Sequence, residues 1–369
     1  MAELPTIKRF REWLSEFAAA RMPYARLALT MAVGLAGTGL FLAGHLPLPW
    51  MLGPMVLAMV LALAGVPLVM PQAVRAPMLV VLGVMVGATA TPELLSRIPE
   101  WLISLAGLVV VLFLGTAAGF VYFRKFAGYD APTSFFASVP GGLTEMILQS
   151  ETSGGDHRLV ALAHAVRITV VVLFVPFMVQ FMSGISLGAR PPSGVPLLNL
   201  PSEHVLWFVG TYCVGLVLAS LVRSATALFL APMLASALLH GSGVTDFPIP
   251  TEAGILAQLI VGLSLGCRFY GMKLRLVGTS LLWAAGASVL LIAVAFATAF
   301  LVGALAGEGL VPMFLAYAPG GVAEMSLIAV ALHAEVAFVV LHHLVRLLLV
   351  SAFASKLYRE IWRRDPKTS

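Results

Sequence analysis

Long apolar stretches separated by short polar ones make up most of this chain. The plainest apolar stretches have the length of a helix that crosses a bilayer, and they cover residues 27–44, 101–123, 159–182, 205–222 and 277–305. Such a helix needs about 20 consecutive apolar residues, and it satisfies its own backbone hydrogen bonds in lipid. The pattern therefore predicts an all-α polytopic membrane protein.

The composition argues against a water-soluble core. The chain is 60% hydrophobic and 11% charged, with a mean hydropathy of +0.99, whereas about a quarter of the residues in soluble domains are charged. The net charge of +5 suits anionic lipid headgroups. The sequence has no basic patch with interleaved aromatic residues, so we expect no nucleic-acid partner.

Two nearly identical phrases reveal an internal duplication. SVPGGLTEMI occupies residues 138–147 and YAPGGVAEMS occupies 317–326, a shift of 179 residues (319 − 140) between their prolines, Pro140 and Pro319. Residues 25–182 and 203–357 are therefore predicted to be two membrane repeats. A proline-rich linker, 183–202, joins them. A cytoplasmic interfacial segment, 1–24, precedes the first repeat, and a basic cytoplasmic tail, 358–369, follows the second.

The orientation of the repeats depends on whether the PGG segment crosses the membrane. Each half has six apolar segments, and the fifth contains PGG. If all six cross, the chain has 12 spans in parallel repeats. If the fifth is re-entrant, each repeat has five spans and the second is inverted.

Loop charges favour the inverted arrangement, because cytoplasmic loops carry an excess of Lys and Arg. With inverted repeats and cytoplasmic termini, the basic residues placed inside are Arg158, Arg223, Arg268, Lys273 and Arg275. The acidic residues placed outside are Asp246, Glu252 and Glu308. Only two basic residues, Arg97 and Arg190, are also placed outside. We therefore expect ten spans and two opposed re-entrant segments.

The proline and glycine pairs predict where these helices break. Gly141 and Gly142 follow Pro140, and Gly320 and Gly321 follow Pro319. A broken helix exposes backbone groups, which lipid tolerates only where they face protein or a water-filled cavity. A half-helix that restarts there presents N–H groups to an anion or a carboxylate. The alternative interpretation is a plain turn of a helical hairpin.

A second proline pair, Pro54 and Pro232, lies in the second span of each half. We interpret these prolines as helix breaks or hinges that either line a cavity or serve packing.

Charged residues recur in the sixth segment of each half. HAVR (164–167) and HLVR (343–346) place a histidine and an arginine on one helix face. Buried arginines need partners, and Glu145 and Glu324 are the expected ones, as either a structural lock or part of a site. The histidines, His164 and His343, are either proton carriers or core residues. The candidate substrate- or ion-binding residues are Gly141, Gly142, Glu145, His164, Arg167, Gly320, Gly321, Glu324, His343 and Arg346.

The phrases PWMLGPM and PGGLTEM, the duplication and the HAVR ending resemble the membrane AbrB family of Gram-negative bacteria, over about residues 25–357. Its members are often labelled ammonia monooxygenases or AbrB-like regulators. The resemblance implies a multi-pass inner-membrane protein that is linked by name to regulation of gene expression and has been considered a transporter. The small soluble DNA-binding AbrB of Gram-positive bacteria is a different protein.

Three functions follow from these features. Inverted repeats with buried ionisable residues favour a secondary transporter of a small anionic substrate, with proton coupling as a hypothesis. The alternative is a membrane protein involved in regulation. A monooxygenase is disfavoured because it needs a metal cluster, and arginines one turn away would repel a metal from a Glu145, His164, Glu324 and His343 quartet. We expect no catalytic residue, metal or cofactor, and leave substrate identity, coupling ion and oligomeric state open.

Overall fold

The computed structural model describes residues 22–92, 97–184, 194–222, 226–272, 274–332 and 334–362. Residues 1–21 of the predicted interfacial segment therefore lie outside the described residues. The same holds for 185–193 of the linker and 363–369 of the tail.

The described ranges contain fourteen α-helices and no β-strand. The first half of the chain forms α1 (Tyr24–Ala43), α2 (Pro49–Leu63), α3 (Gln72–Gly87), α4 (Leu102–Tyr122), α5 (Ala131–Ser138), α6 (Leu143–Thr152) and α7 (His157–Ser183). The second half forms α8 (Ser202–Leu221), α9 (Ala227–Gly241), α10 (Thr251–Gly266), α11 (Leu274–Ala306), α12 (Leu310–Tyr317), α13 (Val322–Leu332) and α14 (Val336–Trp362). Each half thus contributes seven helices in matching order.

Seven of the described helices are long and apolar enough to cross a membrane, namely α1, α4, α7, α8, α10, α11 and α14. The predicted all-α polytopic membrane fold is therefore confirmed. The predicted ten spans require three shorter apolar helices, α2, α3 and α9, to cross as well. These have 15 or 16 residues, about 23 Å at 1.5 Å per residue, which is less than a typical hydrocarbon core of about 30 Å.

Contacts divide the chain into two compact units. The first contains α1–α3, α8–α10 and residues 326–337, and the second contains α4–α7, α11, α12, the start of α13 and nearly all of α14. Each unit takes equivalent helices from both halves. The structural units therefore differ from the sequence repeats predicted at 25–182 and 203–357.

Glycines let helices of the first unit approach each other closely. Gly83 of α3 lies against the carbonyl oxygen of Phe229 in α9, and Gly87 lies against that of Met233 one turn later. A side chain at either glycine would collide with backbone. Because the later glycine of α3 contacts the later residue of α9, the two helices run in the same direction. Gly262 and Gly266 of α10 make the equivalent contacts with α2, so that pair is parallel too.

The direction of α2 relative to α3 bears on the inversion. The Val69 backbone N–H, just before α3, donates to Thr30 Oγ1 at 3.0 Å, near the start of α1. Gly53 of α2 contacts Gly37 later in α1, so α1 and α2 run in opposite directions and α3 begins beside the end of α2. Gly254 near the start of α10 contacts Met85 near the end of α3, so α3 and α10 run in opposite directions. Since α10 is parallel to α2 and α3 is parallel to α9, the equivalent helices α2 and α9 run oppositely. Inverted repeats require this relation, and their orientation in the membrane stays a prediction.

The prolines of the first unit do not break their helices. Pro54 and Pro232 lie inside the continuous helices α2 and α9, so neither proline ends its helix, and a kink at either position stays a prediction. A proline removes one backbone hydrogen bond, and close packing compensates here, since Gly215 of α8 leaves room only for the Pro232 ring. A hinge role for either proline stays a prediction.

In the second unit, the PGG phrases do interrupt the helices. Hairpin 1 is α5 and α6 with its tip at residues 138–142. The equivalent segment of the second half, called hairpin 2, is α12 and the start of α13 (322–325) with its tip at 317–321. The Asp156 backbone N–H, which follows α6, donates to Thr133 Oγ1 in the first turn of α5 at 2.7 Å. Hairpin 1 therefore returns to the level where it began, so the predicted helix break at Pro140 lies at the end of a hairpin.

We expect a cysteine at position 270 to be labelled from the cytoplasm and one at 309 from the opposite side. The inverted arrangement puts the basic loop near Arg268 inside and the loop at Glu308 outside. Gly271 and Gly307 are unsuitable because their φ angles, 79° and 70°, would strain a cysteine. Membrane-impermeant labelling of Tyr270→Cys and Gly309→Cys measures sidedness.

The labelling requires a background in which Cys213 and Cys267 are replaced by alanine, and this background without a new cysteine is the control. If position 270 were labelled only from outside, the predicted orientation with cytoplasmic termini would be wrong.

Candidate functional site

The two arginines bind the tips of the hairpins through backbone carbonyl groups. Arg167 of α7 donates from Nη1 to the Val139 oxygen at 3.2 Å. Arg346 of α14 donates from Nη1 to the Ala318 oxygen at 2.7 Å and from Nη2 to the Gly320 oxygen. Val139 and Ala318 are the C-caps of α5 and α12. Each guanidinium thus lies at the C-terminal end of a helix. This end has carbonyl groups without partners and is the negative end of the helix dipole.

These bonds have the same sequence separation in both halves, 28 residues. His343 donates to the Leu315 oxygen across the same 28 residues. In hairpin 2, α12 and α14 therefore run side by side in the same direction, as α5 and α7 do at Thr133 and Val139. The midpoints of α7 and α14 lie beside the tips.

The predicted ion pairs between Glu145 and Arg167 and between Glu324 and Arg346 do not form, so that expectation is wrong. Glu145 accepts a hydrogen bond from Ser351 Oγ at 2.6 Å and one from Gln149 Nε2 at 3.0 Å. The Glu324 carboxylate lies against Gly321, where an added Cβ would collide with it.

Helix geometry explains why the glutamates turn away from the arginines. Both glutamates stand in the first turn of the returning helix, α6 or α13. A carboxylate is stabilised there by the positive dipole end and the free N–H groups. The arginines instead bind the end of the first helix of each hairpin. At each break, therefore, the arginine binds the C-terminal end of the first helix, and the glutamate lies at the N-terminal end of the returning helix.

Both predicted histidines are fully buried beside the arginines. His164 Nδ1 lies 3.1 Å from the Val160 oxygen, and His343 Nε2 lies 3.0 Å from the Leu315 oxygen. A carbonyl only accepts hydrogen bonds, so these contacts assign the N–H to Nδ1 in His164 and to Nε2 in His343. The other ring nitrogen of each histidine is buried and has no hydrogen-bond partner.

Both arginines are buried without an acidic partner in the described part of the second unit. Arg167 is 4% exposed and Arg346 is 3% exposed, and Arg167 is near enough for its charge to act on Arg346. The Nε atom of each is buried and unpartnered. Each tip thus has a buried positive charge and two unpartnered nitrogens beside it, an arrangement that costs free energy unless something binds there.

The tip glycines give this place partial access. Gly141, Gly142 and Gly321 are half-buried, whereas Gly320 is buried. The structure thus brings tip glycines, arginines and histidines together in the second unit. Pro54 and Pro232 belong to the first unit. Across the described residues, no three or more His, Cys, Asp or Glu side chains form a metal-binding group.

A polar cluster beside hairpin 2 was missed by the sequence analysis. Tyr317 donates its hydroxyl to the Ser104 backbone oxygen at 2.6 Å, and His342 Nε2 lies 3.0 Å from Ser104 Oγ. Ser138 and Ala163 occupy the equivalent positions of Tyr317 and His342 in the first half. That departure from the repeat is the signal that could have indicated the cluster.

Comparison with known proteins places this geometry in context. A family model described as "Transition state regulatory protein AbrB" matches residues 50–361. The chain is 28% identical to "Uncharacterized protein YhjN" of Bacillus subtilis (strain 168), over 92% of this chain and 95% of that protein. It is 25% identical to "Putative regulator AbrB" of Escherichia coli (strain K12), over 93% of this chain and 97% of that protein. The Bacillus relative shows that the resemblance extends beyond Gram-negative bacteria.

We expect Glu145→Ala and Arg167→Met to destabilise the chain independently, because the two side chains share no partner. Their coupling in a double-mutant cycle should stay below about 0.5 kcal/mol. Unfolding in mixed micelles measures the free energies.

The matched control is Glu145→Ala combined with Ser351→Ala, which removes the carboxylate–hydroxyl bond. That cycle should show a coupling of about 0.5–1.5 kcal/mol. If Glu145 coupled to Arg167 and not to Ser351, the arginine assignment would be wrong.

Proposed function

The chain belongs to the AbrB family, and we propose that it is a secondary transporter that carries a small anion across the bacterial inner membrane. The observation that carries the proposal is that Arg167 and Arg346 are both buried against the hairpin tips, within electrostatic reach of each other and without an acidic partner among the described residues. An anion between them would relieve the repulsion of two buried positive charges. It would also give the Nε donors a partner.

The position of this site suits transport. Substrate sites of inverted-repeat transporters lie at the repeat interface, beside broken helices. Here both hairpin tips and both arginines belong to one unit, and each half supplies one arginine and one hairpin tip. The half-buried tip glycines supply backbone that a small ligand can approach closely.

The histidines support proton coupling as part of the proposal. In the assigned neutral tautomers, the unpartnered nitrogens of His164 and His343 present lone pairs. A lone pair repels an anion, whereas a protonated ring attracts it. Anion binding and proton binding would therefore favour each other, which is the linkage that symport requires.

The orientation of the protein is also proposed. The distribution of Lys and Arg between the loops supports cytoplasmic N- and C-termini. Anionic membrane lipids would contact the basic loops.

A regulatory role is the second candidate, because the family description and the Escherichia coli relative both carry that word. The described helices are predominantly apolar and form two compact units. We infer that any effect on gene expression would follow from the molecule transported. The monooxygenase label of some family members gains no support from the grouping of metal-binding side chains in the described ranges.

We expect a small anion, added as its sodium salt, to stabilise the purified chain against thermal unfolding. Changing the cation of a chloride salt should have little effect. Acetate, succinate, phosphate, sulfate and bromide form a suitable panel. Binding to the folded state alone adds about 2.7 kcal/mol at a concentration 100 times Kd. Arg167→Lys and Arg346→Lys keep the charge but lose the planar guanidinium group. Each should therefore raise the Kd for the anion about tenfold and reduce the thermal stabilisation accordingly.

The matched control is Arg124→Lys, because Arg124 also donates to a backbone oxygen, that of Tyr129 at 2.8 Å, but lies away from the tips. The anion that stabilises most is then tested for uptake into proteoliposomes at several pH values. Normal uptake by both lysine variants at the site would show that the arginines only hold the hairpins, and the anion site would lie elsewhere.

A further inference from the structure

We propose that Ser104, Tyr317 and His342 are positioning residues that fix hairpin 2 as the rigid wall of the anion site, so that hairpin 1 is the wall that moves. The inference rests on the proposed function only for its purpose, since the difference between the hairpins is a property of the fold. It applies to the tips, 138–142 and 317–321, which are equivalent in the two halves.

The two tips differ in how they are bonded to neighbouring helices. In the described second unit, tip 1 receives one side-chain bond from another helix, from Arg167 to the Val139 oxygen. Tip 2 makes three, from Arg346 to the Ala318 and Gly320 oxygens and from Tyr317 to the Ser104 oxygen. The bond from His343 to the Leu315 oxygen lies just before tip 2. His164 bonds to the Val160 oxygen of its own helix, and its ring also faces the Val139 backbone of tip 1 without a hydrogen bond of normal geometry from Nε2.

Ser104 connects tip 2 to two other helices. Its backbone oxygen accepts from Tyr317 of α12, and its hydroxyl lies 3.0 Å from His342 Nε2 of α14. The ring centroids of Tyr317 and His342 are 6.1 Å apart. Gly107, one turn after Ser104, provides the space for the tyrosine hydroxyl, because a Cβ there would collide with it. All these residues are buried, so water does not compete for their bonds.

Hairpin 1 has no equivalent of this connection. Ser138, at the position of Tyr317, donates at 2.8 Å to the Phe135 oxygen in its own helix. Ala163, at the position of His342, has no polar side chain. The other bonds of hairpin 1 lie away from the tip, from Asp156 N–H to Thr133 and from Ser351 to Glu145, and Ser351 is exposed. The returning helix α6 exposes Thr144, Leu148 and Glu151.

These differences give the tips different local stability. Segments with few buried bonds open more readily than the rest of a fold. Arg346 binds two carbonyl groups of tip 2, which also contacts the buried polar cluster. Arg167 binds one carbonyl group of tip 1. Movement of hairpin 1 would therefore open the site while hairpin 2 keeps Arg346 in place.

Hydrogen–deuterium exchange of the full chain in lipid nanodiscs, without added anion, tests this inference. We expect the amides of residues 138–147 to exchange about tenfold or more faster than those of 317–326, after correction for intrinsic rates, because tip 1 has two fewer hydrogen bonds. Equal exchange, or slower exchange in hairpin 1, would overturn the proposal. Since no anion is added, this outcome does not depend on whether the anion proposal succeeds.

Variants then test the named residues. Tyr317→Phe removes only the hydroxyl, and we expect exchange at 317–326 to rise about three- to tenfold while 138–147 is unchanged. Ser138→Ala is the matched control in hairpin 1 and should leave both tips unchanged. Ser104→Ala removes the bond to His342 and keeps the carbonyl that Tyr317 uses, so it replaces Tyr317→Phe if that variant fails to fold. Ser104→Thr restores the hydroxyl and should restore slow exchange.

Locality separates positioning from general stability. The proposal requires faster exchange at tip 2 with nearly the same midpoint of global unfolding. If the variants lowered the midpoint and accelerated exchange throughout the second unit, Ser104, Tyr317 and His342 would be ordinary core residues. That result would overturn their positioning role.

Discussion

Each hairpin tip depends on an arginine that binds the carbonyl end of a broken helix. A helix that stops inside apolar surroundings leaves carbonyl oxygens without partners, and a buried arginine is costly without acceptors. Arg167 at Val139 and Arg346 at Ala318 and Gly320 solve both problems together. The breaks are therefore stable features of the fold, with the glutamates bound at the start of the returning helices.

This arrangement leaves the arginines only partly satisfied. The terminal nitrogens bind backbone, whereas the Nε atoms and one nitrogen of each histidine remain buried without a partner. Had the glutamates neutralised the arginines, the place would be a closed structural lock. Because they serve the opposite helix ends instead, two positive charges stay available near the half-buried tip glycines. The anion proposal follows from this difference.

The sequence predicted the helix breaks at the tips and the positions of the arginines and histidines beside them, because the relevant signals are local or repeated. Pro140 and Pro319 indicate breaks by their own chemistry, and the spacing of His164 and Arg167 places both on one face. The glutamate partners were predicted wrongly because position in the preceding segment does not show which helix end a side chain reaches. Pro54 and Pro232 do not end α2 and α9, because a proline inside a closely packed helix removes one backbone hydrogen bond without stopping the helix. The contact between Tyr317 and Ser104 spans 213 residues, and no local pattern indicates it.

The most direct test of the central claim is a density map of the full chain in lipid nanodiscs with the anion that stabilises it most. We expect density for that anion within hydrogen-bond distance of Nε of both Arg167 and Arg346, with Glu145 and Glu324 still at the starts of α6 and α13. A map in which the glutamates pair with the arginines, and the anion lies elsewhere or is absent, would contradict that claim.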